Sequence, residues 1–156
     1  MSMTVVGLVI VGAVGCGGGD DAKPLSRAEF TKRAEAKCAV LGQASTELGK
    51  AENPSSVGKT VAAFVRGSAA ELRKFVDAFD SISPPAAIEK DASDLVSVLG
   101  KYADGLDSLA DNVKSGQTFQ EALQANGKIV DRLNSYAGRA TTIVIRLDLA
   151  GCVLTS

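Results

Sequence analysis

No histidine occurs among the 156 residues, and no tryptophan. The missing histidine removes the commonest general base and the commonest transition-metal ligand together. Serines are plentiful, but with no histidine base and no G-x-S-x-G turn nucleophilic catalysis finds no support. Net charge is nearly absent, with 17 basic residues against 18 acidic ones, so the chain lacks the basic footprint of a nucleic-acid binder. Cysteine is scarce, three in all, and no C-x-x-C pair exists to depress a thiol pKa for redox work. A membrane-crossing run is missing too. The apolar stretch TVVGLVIVGAVG at 4–15 makes a helix of roughly 18 Å against a hydrocarbon core of about 30 Å.

That stretch has the length of a signal-peptide core, and it ends in small residues. AVGC follows from Ala13 to Cys16 and resembles the lipobox of bacterial lipoproteins. The resemblance implies that Cys16 is diacylated on sulfur, becomes the first residue after cleavage and anchors the chain to a membrane. The segment departs from the pattern at Ala13, where leucine is usual, and in MSM, which carries no Lys or Arg. GGGDDAKP after the cysteine is glycine-rich and charged, the composition of a flexible tether. The expected organisation is a signal peptide over 1–15, a lipidated cysteine and tether over 16–25, and one folded domain over 26–156. The plainer alternative is an uncleaved N-terminus with an unmodified thiol. Two or three lipid chains hold a protein stably where one holds it marginally.

With Cys16 set aside, Cys38 and Cys152 form an even pair. In an exported chain that is most simply a disulfide, enclosing nearly the whole domain; two buried reduced thiols are the alternative.

The remainder reads as four amphipathic helices. Ser26 and Glu29 have the spacing of a capping box, after which Phe30, Ala34, Cys38, Leu41, Ser45 and Leu48 recur along one stripe. Pro54 ends that helix. Val57, Val61, Phe64, Ser68, Leu72, Phe75, Phe79 and Ile82 make the second stripe. Ser83 is the expected cap of the third helix, with Pro84 or Pro85 at an early position that needs no amide donor. Ile88, Ala92, Leu95, Leu99, Tyr102, Leu106, Leu109 and Val113 form its stripe. KSGQT is a loop, and Thr118 with Glu121 repeats the capping-box spacing. The fourth stripe is Phe119, Leu123, Ile129, Leu133, Tyr136, Ala140, Ile143 and Leu147. Its end, TTIVIRL, is β-branched and strand-like, but a lone strand leaves its backbone groups unpaired, so helix is expected. Short loops favour antiparallel neighbours, hence an all-α, up-down-up-down four-helix bundle. Gly42, Gly67, Gly100, Gly105, Gly127 and Gly138 interrupt the helices, each at a cost of up to about 1 kcal/mol. They either admit close helix approach or loosen the packing.

LSRAEFTKRAEAKC looks like the first helix of small secreted and lipoprotein-type helical proteins of high-GC Gram-positive bacteria. The matching elements are Leu25 to Phe30, Ala34, Cys38, the pair Pro84 and Pro85, and Cys152. The resemblance implies an envelope location and a helical bundle, and it brings no activity.

Four constellations invite chemistry. VGKT at 57–60 suggests a phosphate loop, but Asn53 stands where the pattern needs glycine and no strand precedes it, so a helix start is expected. Asp104, Asp107 and Asp111 lie along one helical face, with Asp91 and Asp94 nearby. Calcium prefers six to eight oxygens from a loop that wraps it, so the stripe reads as a solvated face or a candidate partner-docking surface, not a metal site. Arg27, Lys32, Arg33 and Lys37 cluster on the first helix and suit either anionic headgroups or plain solvent. Tyr102, Tyr136 and Asn126 are polar groups on apolar stripes; without His or C-x-x-C-H they read as amphipathic packing rather than haem ligation.

The expected function is a lipid-anchored, extracytoplasmic binding or interaction module, not an enzyme and without a cofactor. Its expected partners are the membrane, through the anchor, and an envelope protein, with no nucleic acid; the sequence is silent on oligomeric state. The alternative is a carrier for a small apolar molecule held between the helices. A carrier needs an apolar cavity; an interaction module needs a filled interior and an uncovered patch; an enzyme needs converging polar groups.

Overall fold

Ser26 opens the first element as its spacing predicts. Its amide donates to Glu29 Oε2 at 3.0 Å while the Glu29 amide donates to Ser26 Oγ at 3.3 Å, satisfying two of the amides a helix start leaves unpaired. The computed structural model describes residues 25–51 and 58–152. The expected signal peptide, Cys16, nearly all of the tether, Pro54 and Val57 lie outside the described residues.

The fold is all-helical, with no strand among the described residues. Helix α1 runs Arg27–Ala51, α2 Lys59–Asp80, α3 Glu89–Asn112, α4 Phe119–Ala125 and α5 Gly127–Leu147. Short 3-10 turns at Ala86–Ile88 and Ala150–Cys152 precede α3 and follow α5. No described helix is long and apolar enough to cross a membrane.

Two boundaries differ from expectation. The segment expected as one fourth helix is two. Asn126 adopts φ −115° and ψ 34°, and its side-chain amide donates to Ala122 O at 2.8 Å. That local bond competes with helix continuation, and Gly127 offers the helix little in return. The proline pair does not lie inside α3: extended Pro85 precedes the Ala86–Ile88 turn, which leads into the helix. The helix start expected at VGKT is found, with α2 beginning at Lys59 and Gly58 as its cap residue at φ 60°. Its amide donates to Gln117 O at 2.7 Å, and a Cβ there would stand 3.0 Å from the Gly116 nitrogen. Glycine fits both the positive φ and the close approach.

TTIVIRL is helical to Leu147. Asp148 then turns left-handed at φ 59°. Its amide donates to Ile145 O and that of Leu149 to Val144 O, each at 3.1 Å. This is the paired bonding of a Schellman stop, and the accompanying apolar contact comes from Leu149, which is fully buried. The reversal sends the chain back to α1. There the Gly151 amide donates to Glu35 Oε1 at 3.2 Å, and Cys152 is joined to Cys38 in a disulfide with the Cα atoms 5.1 Å apart.

Neighbouring helices run antiparallel. Phe30 meets Phe79 edge-on at 5.8 Å between ring centroids, while Leu48, further along α1, faces Gly67, earlier on α2. Arg66 pairs with Asp111 and Arg73 with Asp104. Arg146 pairs with Asp91, and Leu133 lies over Gly105. Helix α3 is central, packed on both α2 and α5, whereas α1 rests chiefly on α2 and the C-terminal turn. The main core joins Phe30, Ala34 and Cys38 to Phe75, Phe79, Leu95, Val98, Ile143 and Leu147. A second cluster around Val65, Leu109, Ala110 and Leu133, near α4, has no α1 residue. Each fully buried Leu, Val or Phe contributes roughly 1.5–3 kcal/mol, and no polar or charged residue is buried among the described ones.

Candidate functional site

Helix α3 presents Leu95, Leu99 and Tyr102 along one face, since positions three and four apart stack on a helix. Helix α2 adds Leu72 and Phe75 from one side, and α5 adds Ala137, Ala140, Thr141 and Val144 from the other. The α5 residues are small where α3 offers leucines. The three helices therefore meet around a cleft of about 220 Å³, with Cys152 among its lining residues. Among the described residues no α1 side chain lines the cleft, and Ala137 and Thr141 of its lining are exposed.

Among the described residues no charged side chain lines this cleft. Thr141 directs its hydroxyl hydrogen to Ala137 O at 3.0 Å. Tyr102 is half-buried, and burial pushes its phenol above the ordinary value, so it stays protonated and acts as a donor. Among the described residues the lining holds no carboxylate, amine or unpaired thiol.

The acidic stripe is placed differently from a free docking face. Arg73 spans Asp104 at 2.8 Å and Asp107 at 2.6 Å, and Arg66 holds Asp111 at 2.7 Å. Asp91 is paired with Arg146 and Asp94 with Lys90. These bridges are exposed and contribute about 0–1 kcal/mol each. They nonetheless turn the stripe into part of the α2–α3 and α3–α5 seams. Among the described residues no group of three or more His, Cys, Asp or Glu gathers as a metal site needs.

The other singled-out residues are dispersed. Tyr136 borders a polar groove with Lys101, Asp104 and Arg132. On α1, Arg27 donates to Arg146 O at 3.1 Å, Lys32 and Arg33 face solvent, and Lys37 edges a groove of about 260 Å³ between α1 and α2. Cys16 lies outside the described residues, so its acylation is not addressed by the geometry.

Sequence reasoning placed Leu72, Phe75, Leu95, Leu99, Tyr102 and Ala140 on interior stripes without finding that they bound a cleft. It passed over Ala137, Thr141 and Val144. The available signal was volume: AGRATT in α5 supplies small side chains opposite the leucines of α3. No protein-family model, curated protein or solved structure matches the chain.

Proposed function

We propose that this chain is a lipid-anchored, extracytoplasmic, non-catalytic binding protein that holds a small apolar molecule in the cleft between α2, α3 and α5. The uncharged, half-open cleft is the observation that carries the reading. An apolar lining with one or two placed polar groups is what small-molecule sites are made of. In this reading Cys16 bears the lipid, residues 17–25 tether the domain, and the fold is an up-down-up-down four-helix bundle whose last rod is α4 and α5 together. The likeness to secreted and lipoprotein-type helical proteins supports the envelope location, and a Cys38–Cys152 disulfide suits an oxidising compartment. The acidic stripe is the weaker surface for a protein partner, because Arg73 and Arg66 already answer its carboxylates.

Binding of a neutral naphthylamine probe, read as a rise in fluorescence, tests the cleft. Ala137→Phe places a ring at the mouth from an exposed position, so it blocks entry without overfilling the core. The wild-type protein brightens the probe and the variant does not; equal signals from both would end the reading. Membrane fractionation tests the anchor. Cys16→Ser moves the protein to the soluble fraction, and retention of the variant in the membrane would refute acylation at that sulfur.

A further inference from the structure

The cleft's dimensions and lining narrow what it takes, on the premise that it is the binding site. Its volume of about 220 Å³ exceeds the roughly 150 Å³ of a cavity that accepts benzene. It falls below the roughly 300 Å³ at which pockets for drug-sized ligands begin. It is also long. Leu95 to Tyr102 on α3, and Val144 to Ala137 on antiparallel α5, each cover two helical turns, or about 10 Å. The volume spread over that length makes a narrow trough, which suits one hydrocarbon chain better than a bulky cage.

Charge restricts the ligand further. With no cation or anion in the lining, a carboxylate or ammonium drawn inside would lose its hydration with nothing in return. The two ends differ. At the Val144 end α5 stops and the chain turns back through the fully buried Leu149. At the other end stand exposed Ala137 and the Tyr102 hydroxyl, while the Thr141 hydroxyl is already committed to Ala137 O.

We infer that the cleft binds a single uncharged hydrocarbon chain of medium length, methyl end toward Val144, with an ester, keto or hydroxyl oxygen accepting a hydrogen bond from Tyr102. The class is that of neutral single-chain lipids and their fragments. Chains with charged heads, doubly chained lipids and bulky cage molecules fall outside it.

Calorimetric titration and displacement of the naphthylamine probe test the assignment on the full chain. The probes are straight-chain alcohols of increasing length, the methyl ester of decanoic acid, decanoate at pH above its titration, decane and adamantanol. Affinity for the alcohols rises roughly fourfold per methylene and levels off once the chain outgrows the roughly 10 Å trough. Decanoate binds at least about tenfold more weakly than its ester, given the cost of an unpaired buried charge, and adamantanol does not displace the probe. Tyr102→Phe weakens the alcohols and the ester roughly two- to tenfold and leaves decane unchanged. Equal binding of decanoate and its ester, preference for adamantanol, or a Tyr102→Phe effect on decane as large as that on decanol overturns the inference. If the naphthylamine probe binds and Ala137→Phe blocks it while no straight-chain compound displaces it, the ligand class is wrong and the cleft reading survives. If no probe binds at all, the cleft reading itself has failed.

Discussion

Replacing Cys38 and Cys152 together by alanine removes a crosslink between residues 114 apart in sequence. In the chain-entropy account, closing a loop of that size restricts the unfolded ensemble by about 4.8 kcal/mol at 25 °C. Domains are held by only about 5–15 kcal/mol in all, so the bridge supplies a third or more of the total. The native side of the balance moves in the same direction. Without the bridge, the turn Ala150–Cys152 is held to α1 chiefly by the single bond from Gly151 to Glu35, whereas Leu149 stays anchored by the Schellman bonds. With an unfolding entropy near 2.1 cal/mol/K per residue, the loss corresponds to a fall in Tm of about 15–20 °C for a domain of this size. Alanine is the appropriate replacement, because Cys38 is 9% exposed and a serine hydroxyl there would add a desolvation cost of its own. Thermal unfolding followed by circular dichroism, comparing oxidised wild type, reduced wild type and the double variant, reads the effect. A drop below about 5 °C, on the scale of ~1 kcal/mol, would refute the claim that the fold leans on this bridge.

Three further substitutions and one titration follow from particular positions. Gly105→Ala brings a Cβ to within 2.7 Å of Leu133 Cδ2, a side-chain tip in a buried cluster, so an overpacking cost of about 1–3 kcal/mol offsets the helix gain of about 1 kcal/mol. Gly138→Ala meets nothing within 4 Å and raises stability by about 0.5–1 kcal/mol; denaturant midpoints that move alike would contradict the packing described. Asp148→Gly relieves the left-handed backbone at φ 59° and raises Tm, an increment of up to about 1 kcal/mol; a lower Tm would mean that the aspartate side chain holds the turn. Glu29 and Glu121 have carboxyls held below their ordinary value, first by hydrogen bonds from Ser26 and Thr118. Folded pKa values that lie below the unfolded ones give a contribution present above about pH 4.3. That contribution is lost as pH falls through the lowered values. Acid titration of Tm shows a smaller decline for the Ser26→Ala/Thr118→Ala pair than for wild type; identical slopes would discount the capping boxes.

The local features were legible because local chemistry decides them. Ser26 with Glu29 and Thr118 with Glu121 are complete capping boxes at the expected spacing. Phe30, Ala34, Cys38, Leu72, Phe79, Leu95 and Leu147 are buried as their stripes require. The break at Asn126 was not legible, since helical periodicity continues across it in Leu123, Ile129 and Leu133. Val65, Val98, Ala103 and Ala110 are buried beside the expected stripes, because α2 and α3 have neighbours on more than one side and bury a wider face than one stripe describes. The acidic stripe looked free because Arg66 and Arg73 sit on another helix, and only tertiary packing brings them to Asp111, Asp104 and Asp107. The cleft depends on how α2, α3 and α5 meet, which no pattern within a single helix encodes. Glycines illustrate the same limit: Gly67 and Gly105 admit leucines, whereas Gly42, Gly100 and Gly138 admit nothing within 4 Å, and their sequence contexts do not distinguish them.

Native mass spectrometry of the full chain, extracted from bacterial membranes in mild detergent, tests the central claim most directly. The account predicts a polypeptide made heavier by acyl chains at Cys16 and carrying a small neutral molecule. That molecule leaves on gentle activation and is missing from Ala137→Phe. The same unliganded mass from both proteins would contradict a cleft that exists to be filled.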